Sequence, residues 1–365
     1  MMRHAAFATA LALMAGGLAC AQTPAETFES GLAEYRRAHQ IPSLSVLVLR
    51  DGEAEVEAYL GWSDDEGEVA TSADTTYFTA SVTKTVTGTT LFLADQAGEI
   101  DLDRPMADAE DWRGLCEWFL DSDIPLAGGD VGGVMFPDFT CQGQTLRQVV
   151  NMQVNGEPGT DFYYNALVFA RLGRWVDEVH ERDFRALVRA YVLDPLEMTD
   201  TMAGWRDTRN YHVLSHLAPP FLFDGERLVK QAFPDDDFRG AAGLYMTPMD
   251  LARFDRALDD GTLLTEAQRQ AMWTPPSNAD GTPSEYANGW FLQDYQGERL
   301  VFHSGWQPEA YSAIYLKVPE RGLTLIAFAN TESLWWGNRP DRSEVHRSDL
   351  VQAFFTAYDI GQGAP

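Results

Sequence analysis

Positive charge is scarce in this 365-residue chain: Lys and Arg number 27 against 55 Asp and Glu, a formal net charge of −28. A surface of that sign excludes nucleic acid as a partner, because phosphate binding needs a basic face, and it disfavours anionic membranes. Lysine itself is almost missing, with Lys84, Lys230 and Lys317 the only three. The chain uses arginine where charge alone suffices. A retained lysine therefore marks a place for what arginine cannot do, which is to give up a proton and act as a base. Cysteine is equally rare at three residues, with no CxxC and no Cys/His zinc spacing. His212 and His216 stand four apart, but Val213 occupies the place of the Glu that a zinc-hydrolase helix requires. Asp235-Asp236-Asp237 reads as a solvated acidic loop. Neither a metal nor another cofactor is expected. What is abundant is apolar mass, with 45% hydrophobic and 12% aromatic residues, enough to bury a large core and to exclude disorder as the main state.

Residues 1–21 read as a secretory signal. Arg3 gives a basic start, Ala5 to Leu18 an apolar run, and Ala19-Cys20-Ala21 a small-x-small site cleaved after Ala21. The alternative, a lipoprotein acylated on Cys20, fits less well because Gly17 stands where an aliphatic residue is expected. No later apolar run is long enough to cross a bilayer. The expected location is periplasmic or secreted, with no stable membrane span in the mature chain. In such a compartment Cys116 and Cys141 can form a disulfide or remain two separate thiols.

The length suits one large two-lobed unit or two domains. Pro24 to His39 patterns as an amphipathic helix, Leu44–Leu49 and Ala54–Tyr59 as a hairpin around Asp51-Gly52, and Ser81–Asp95 as a helix. Gly128-Gly129 and Gly132-Gly133 mark a loop-rich insertion, residues 105–143, and the helical patterns that follow contain no convincing strand. Strands return at Gly289–Asp294, Arg299–His303, Tyr311–Val318 and Leu323–Asn330, before a closing helix at Arg347–Tyr358. The expected class is α+β. Residues 22–100 and 235–365 share an antiparallel sheet flanked by helices, and residues 101–234 form a helical lobe with the insertion as a lid.

Three short patterns carry chemistry. In Ser81-Val82-Thr83-Lys84 a helix starting at Ser81 puts Lys84 on the same face, where a desolvated lysine can take the serine proton. The helix N-terminus would also favour an oxyanion. The plainer alternative is a capping serine followed by a solvent-facing lysine. In Tyr163-Tyr164-Asn165, Tyr163 and Asn165 can face one site as proton shuttle and orienting amide, or the tyrosines can simply pack. In His303-Ser304-Gly305-Trp306 a strand end can align an extended substrate, with Gly305 allowing close backbone approach, or His303 can be an ordinary strand-to-turn residue. Trp306 and the pair Trp335-Trp336 can line an acyl pocket or pack between lobes.

Taken in this order, the three patterns resemble the serine β-lactamase and penicillin-recognising family, in particular its class C and esterase-like branch, over roughly residues 40–330. Ile41-Pro42, Asp101-Leu102-Asp103, Pro158-Gly159-Thr160, Asp194-Pro195-Leu196 and Gly240-Ala241-Ala242-Gly243 look like further landmarks of that family. The resemblance implies the β-lactamase-like fold with an active site between the lobes. It implies Ser81 as the acylated nucleophile, Lys84 as its proton acceptor and Tyr163 as the second base. It also implies Asn165, His303, Ser304, Gly305 and Trp306 as substrate-binding residues, with the Ser81 and Trp306 backbone N–H groups as oxyanion hole.

Two departures bear on the substrate. His303 replaces the lysine of the family's K-T-G, which helps bind a substrate carboxylate, and Asn151 to Gly156 replaces a longer stretch ahead of Pro158. The resulting expectation is a serine hydrolase cleaving a carboxylic ester, amide or peptide bond of a small molecule through a Ser81 acyl-enzyme. The alternatives are a β-lactamase or D,D-/D-amino-acid peptidase, and a non-hydrolytic binding protein that keeps the fold.

Overall fold

A computed structural model describes residues 22–121, 130–131, 134–135, 138–234, 237–335 and 342–362. The expected signal, part of the 105–143 insertion, Asp235, Asp236 and Trp336 lie outside the described residues.

The described chain opens with α1 (Pro24–Ala38). Thr23 caps it through a capping box with Glu26, and Phe28 and Leu32 form its buried stripe. Next come β1 (Ser43–Arg50) and β2 (Glu53–Gly61), joined at Asp51-Gly52, both at positive φ as a tight hairpin requires. A single turn at Ala80–Val82 leads into α2 (Thr83–Gln96). Much later, after the short helix α3 (Ala166–Phe169) and α4 (Pro248–Asp259), come β3 (Tyr286–Ala287), β4 (Trp290–Tyr295), β5 (Glu298–Gln307), β6 (Tyr311–Val318), β7 (Leu323–Ala329) and α5 (Asp349–Ala357).

These seven strands form one antiparallel sheet in the order β3-β4-β5-β6-β7-β1-β2. β1 pairs with β7 along Leu44↔Ala329 to Arg50↔Leu323, so the two ends of the sequence meet in the sheet. α1 and α5 close the same junction, with the Phe28 and Phe354 rings 5.8 Å apart, edge to face. β6 and β7 are buried at every position, as strands covered on both faces must be.

α2 is buried from Thr83 to Phe92, so only its last turn meets solvent. Of its threonine hydroxyls, Thr85 donates to Val82 O, Thr87 to Gly240 O and Thr89 to Thr85 O, while the buried Thr90 hydroxyl meets no partner among the described residues. Two glycines let it sit against the β3–β4 turn. A Cβ on Gly88 would lie 1.8 Å from Asn288 O, and one on Gly289, at φ 86°, would lie 2.2 Å from Lys84 O.

The structure differs from the sequence pattern in four places, the first being the helix Glu110–Asp121 inside the insertion expected to be loop-rich. The middle region does contain strands: Thr201–Ala203 pairs with Leu244–Met246, which pairs with Tyr77–Phe78. Ladders of two or three residues are too short to display a period. The expected strand ending at His303 runs on to Gln307, placing His303-Ser304-Gly305-Trp306 inside β5. The helical pattern over Asn165–His180 is divided at Ala170 into Ala166–Phe169 and Arg171–Val179. Cys116 and Cys141 are joined as a disulfide, tying the helix Glu110–Asp121 to the segment that precedes Leu146.

α4 is bound to the sheet by a buried cluster. Lys317 of β6 donates to Asp255 and, at 2.8 Å, to Asp259 Oδ2, while Tyr315 donates to Asp255 at 2.8 Å. Burial works against the Lys317 charge, but the two carboxylates outweigh it and hold its pKa up. Replacing Lys317 by Met should strand Asp255 as a buried charge and cost about 3–5 kcal/mol, measured as a fall in urea midpoint. Adding Asp255→Leu should restore much of that loss.

Candidate active site

Ser81 lies in the turn before α2, directly after Ala80 at φ 45°, a backbone conformation that a residue with a Cβ adopts only when its surroundings force it. Lys84 stands in the first turn of α2 and is fully buried. Its Nζ donates to Ser81 Oγ at 2.8 Å and to Ala241 O at 2.8 Å, and lies 5.3 Å from the Tyr164 ring centre and 5.5 Å from that of Phe169. Ala241 is held close because Gly240 O accepts from Thr87 and Leu244 N donates to Thr83, both on α2.

A second group reaches the same oxygen: the Tyr164 hydroxyl donates to Ser81 Oγ at 3.0 Å. The tyrosine expected from the Tyr-x-Asn spacing was Tyr163, one residue earlier. Asn165, which follows the two tyrosines, has φ −132°, ψ 85° and precedes α3. Tyr163 is half-buried and its backbone N–H donates to Met152 O. The doubled tyrosine was the only signal of this ambiguity. The Tyr164 ring is fixed by stacking on Phe291 at 5.7 Å and by an edge contact with Tyr286 at 6.4 Å. Asn165, expected to meet the substrate, is fully buried; its Oδ1 caps α3 through Val168 N and its Nδ2 donates to Asn155.

β5 crosses the Ser81 turn at Gly305. A Cβ there would lie 2.1 Å from Thr79 O, so only glycine permits the approach. Trp335 Nε1 donates to Gly305 O at 2.6 Å, while Ser304 is buried and Trp306 half-buried.

His303, expected to bind substrate, is fully buried behind Tyr164, with ring centres 6.1 Å apart. Its Nδ1 lies 2.7 Å from Ser304 O, which can only accept, so Nδ1 carries the proton and Nε2 accepts from the Tyr286 hydroxyl at 3.0 Å. Burial first, and then the Lys84 charge, push its pKa well below the ordinary value, so the ring is neutral at pH 7. Among the described residues no cluster of three His, Cys, Asp or Glu could hold a metal, and His212 pairs with Asp200 at 3.1 Å.

The His303 shift has a consequence for stability. The unfolded chain protonates this residue near pH 6.5, the folded chain only at lower pH, so its effect is absent above that value and destabilising below it. His303→Gln should flatten the fall in urea midpoint between about pH 6.5 and 5 relative to the parent protein.

A sequence profile described as Beta-lactamase matches residues 27–345. The chain is 23% identical over 308 residues to Protein flp of Staphylococcus aureus (strain N315), covering 80% of this chain and 60% of that protein. It thus spans about three fifths of the length of such curated relatives. Among solved structures, the D-amino acid amidase of Ochrobactrum anthropi SV3 superposes with a TM-score of 0.67 at 18% identity, over 93% of this chain and 99% of that one. EstCE1, a hydrolase with promiscuous acyltransferase activity, does so with a TM-score of 0.64 at 14% identity, over 91% and 98%. No transmembrane-length apolar helix occurs among the described residues. With the profile spanning most of the sequence, the chain belongs to the Beta-lactamase family, and both structures share its fold.

Proposed function

We propose that this chain hydrolyses a carboxylic ester or amide through an acyl-enzyme on Ser81. The observation that carries the reading is the convergence of Lys84 Nζ and the Tyr164 hydroxyl on Ser81 Oγ. Loss of one proton from Lys84 or Tyr164 turns that donor into an acceptor. Ser81 Oγ then gives its proton to the pair and forms a bond to the substrate carbonyl carbon. The oxyanion faces the backbone N–H groups of Ser81 and Trp306. Collapse expels the leaving group, which takes a proton from Tyr164. Water, losing a proton to the same tyrosine, then releases the acid and restores Ser81.

The reaction would take place between the lobe of residues 22–100 and 235–365 and that of residues 101–234. It would take place in the periplasm or outside the cell, since residues 1–21 carry the signal pattern. A neutral His303 supplies no charge for a penicillin-type carboxylate, which favours esters over β-lactams. Amides remain within reach because Tyr164 can protonate a departing nitrogen, and the fold is shared with the D-amino acid amidase.

Ser81→Ala should abolish labelling by a fluorophosphonate and turnover of p-nitrophenyl esters; persistent turnover would refute the assignment. Lys84→Arg should lose nearly as much, because Arg cannot release its proton. Tyr164→Phe should lower kcat by about 10²–10⁴-fold, whereas Tyr163→Phe should cost far less. The reverse order would return the shuttle to Tyr163.

A further inference from the structure

Pairing between β4 and β5 ends at Phe291↔Phe302, so from His303 to Gln307 the strand is paired with β6 alone among the described residues. Side chains alternate along this stretch. Gly305 turns toward the Ser81 side, where a Cβ would strike Thr79 O, and His303 shares that face. Ser304 and Trp306 occupy the opposite face.

A carboxylate accompanies them there. The Trp306 indole donates to Glu332 Oε2 at 2.9 Å, and the Glu309 backbone N–H reaches the same oxygen at 3.3 Å. Oε1 accepts no hydrogen bond among the described residues, and Glu332 is half-buried rather than sealed. Its segment is held firmly: Ser312 Oγ donates to Thr331 O at 2.6 Å and accepts from Leu334 N at 3.1 Å, and the Trp335 indole donates to Gly305 O. The carboxylate is therefore fixed beside an indole ring, at the residue next to the glycine that touches the Ser81 turn. On the other face His303 is neutral. A carboxylate with one open oxygen beside an aromatic ring suits a protonated amine and repels an anion.

We infer that the edge of β5 beyond Phe302 forms a subsite for a protonated amine, with Glu332 as counter-charge and the Trp306 ring as wall. The preferred substrates are esters or amides whose cationic group reaches past the β5 edge toward the face opposite Ser81. The inference rests on the hydrolase reading for where that carbonyl sits. A chain of net charge −28 also draws cations toward it from a distance.

Two esters of matched size test this, one ending in a primary ammonium and one in a methyl group. In Glu332→Gln the amide oxygen still accepts from the Trp306 indole, so the fold is retained, and a melting curve checks it. The kcat/KM ratio of cationic over neutral ester should fall about tenfold, with part of the preference kept in Glu332→Asp. A ratio unchanged within about twofold overturns the proposal, as does an equal loss on both esters. Binding of the same two esters to Ser81→Ala protein separates the subsite from the chemistry. Tighter binding of the cationic ester, lost when Glu332→Gln is added, supports the subsite even if the parent chain hydrolyses neither ester, a result that would refute the hydrolase reading alone. Equal binding of both overturns the subsite.

Discussion

Ser81 Oγ receives two hydrogen bonds at once, from Lys84 Nζ and from the Tyr164 hydroxyl, and the surrounding structure keeps both donors in place. Lys84 is held at 2.8 Å by a helix buried from Thr83 to Phe92, with Gly88 and Gly289 removing the two side chains that would push it off the β3–β4 turn. Gly305 does the same for β5 against the Ser81 turn. Rigid placement of this kind is what an activated serine requires, because a shift of about 1 Å in a reacting group can cost a hundredfold in rate. The strained φ of Ala80 belongs to the same arrangement: it aims the serine, and the packing of α2 sustains it.

The aromatic residues behind the site have a second effect. Tyr164, Tyr286, Phe291 and His303 pack within about one ring diameter of each other, and the low polarity they create suppresses charge. Burial raises the Tyr286 pKa well above its ordinary value and lowers that of His303, so both stay neutral and exchange a fixed hydrogen bond. Tyr286 and His303 thereby act as a positioning wall for Tyr164. In place of the cation implied by the K-T-G resemblance, the β5 strand places a neutral histidine on one face and a carboxylate, Glu332, on the other.

Much of this could be read in advance, and the misses share a cause. Hydrophobic runs marked all the long sheet strands, and the pairing of the sequence ends followed from their separation by a helical middle. The Ser-x-x-Lys spacing identified two groups that the fold brings into contact, because four residues of helix determine their geometry by themselves. The doubled tyrosine leaves the choice between Tyr163 and Tyr164 to the path of the chain ahead of α3, where the Tyr163 N–H donates to Met152 O and Asn165 Nδ2 to Asn155, residues of a different loop. Ser304 and Gly305 pattern as turn residues, yet they continue a strand, since the missing side chain of Gly305 serves a contact with residue 79 that no local pattern encodes. Glu332 was invisible for the same reason: it meets Trp306 across the end of β6, from a segment that carries no motif.

The scarcity of lysine can now be stated in physical terms. Lys230 forms an exposed pair with Asp65, a position arginine could fill. Lys317 and Lys84 are both fully buried, and both occupy spaces suited to a compact ammonium rather than a planar guanidinium. What separates them is the company each keeps. Lys317 donates to Asp255 and Asp259, whose negative charge fixes its proton and makes it a structural cation. Lys84 Nζ donates to the Ser81 hydroxyl and to a backbone carbonyl. Burial alone therefore does not identify a catalytic lysine in this chain. The lysine aimed at a serine hydroxyl is the one we propose for proton transfer, and the one aimed at two carboxylates holds a helix against a sheet.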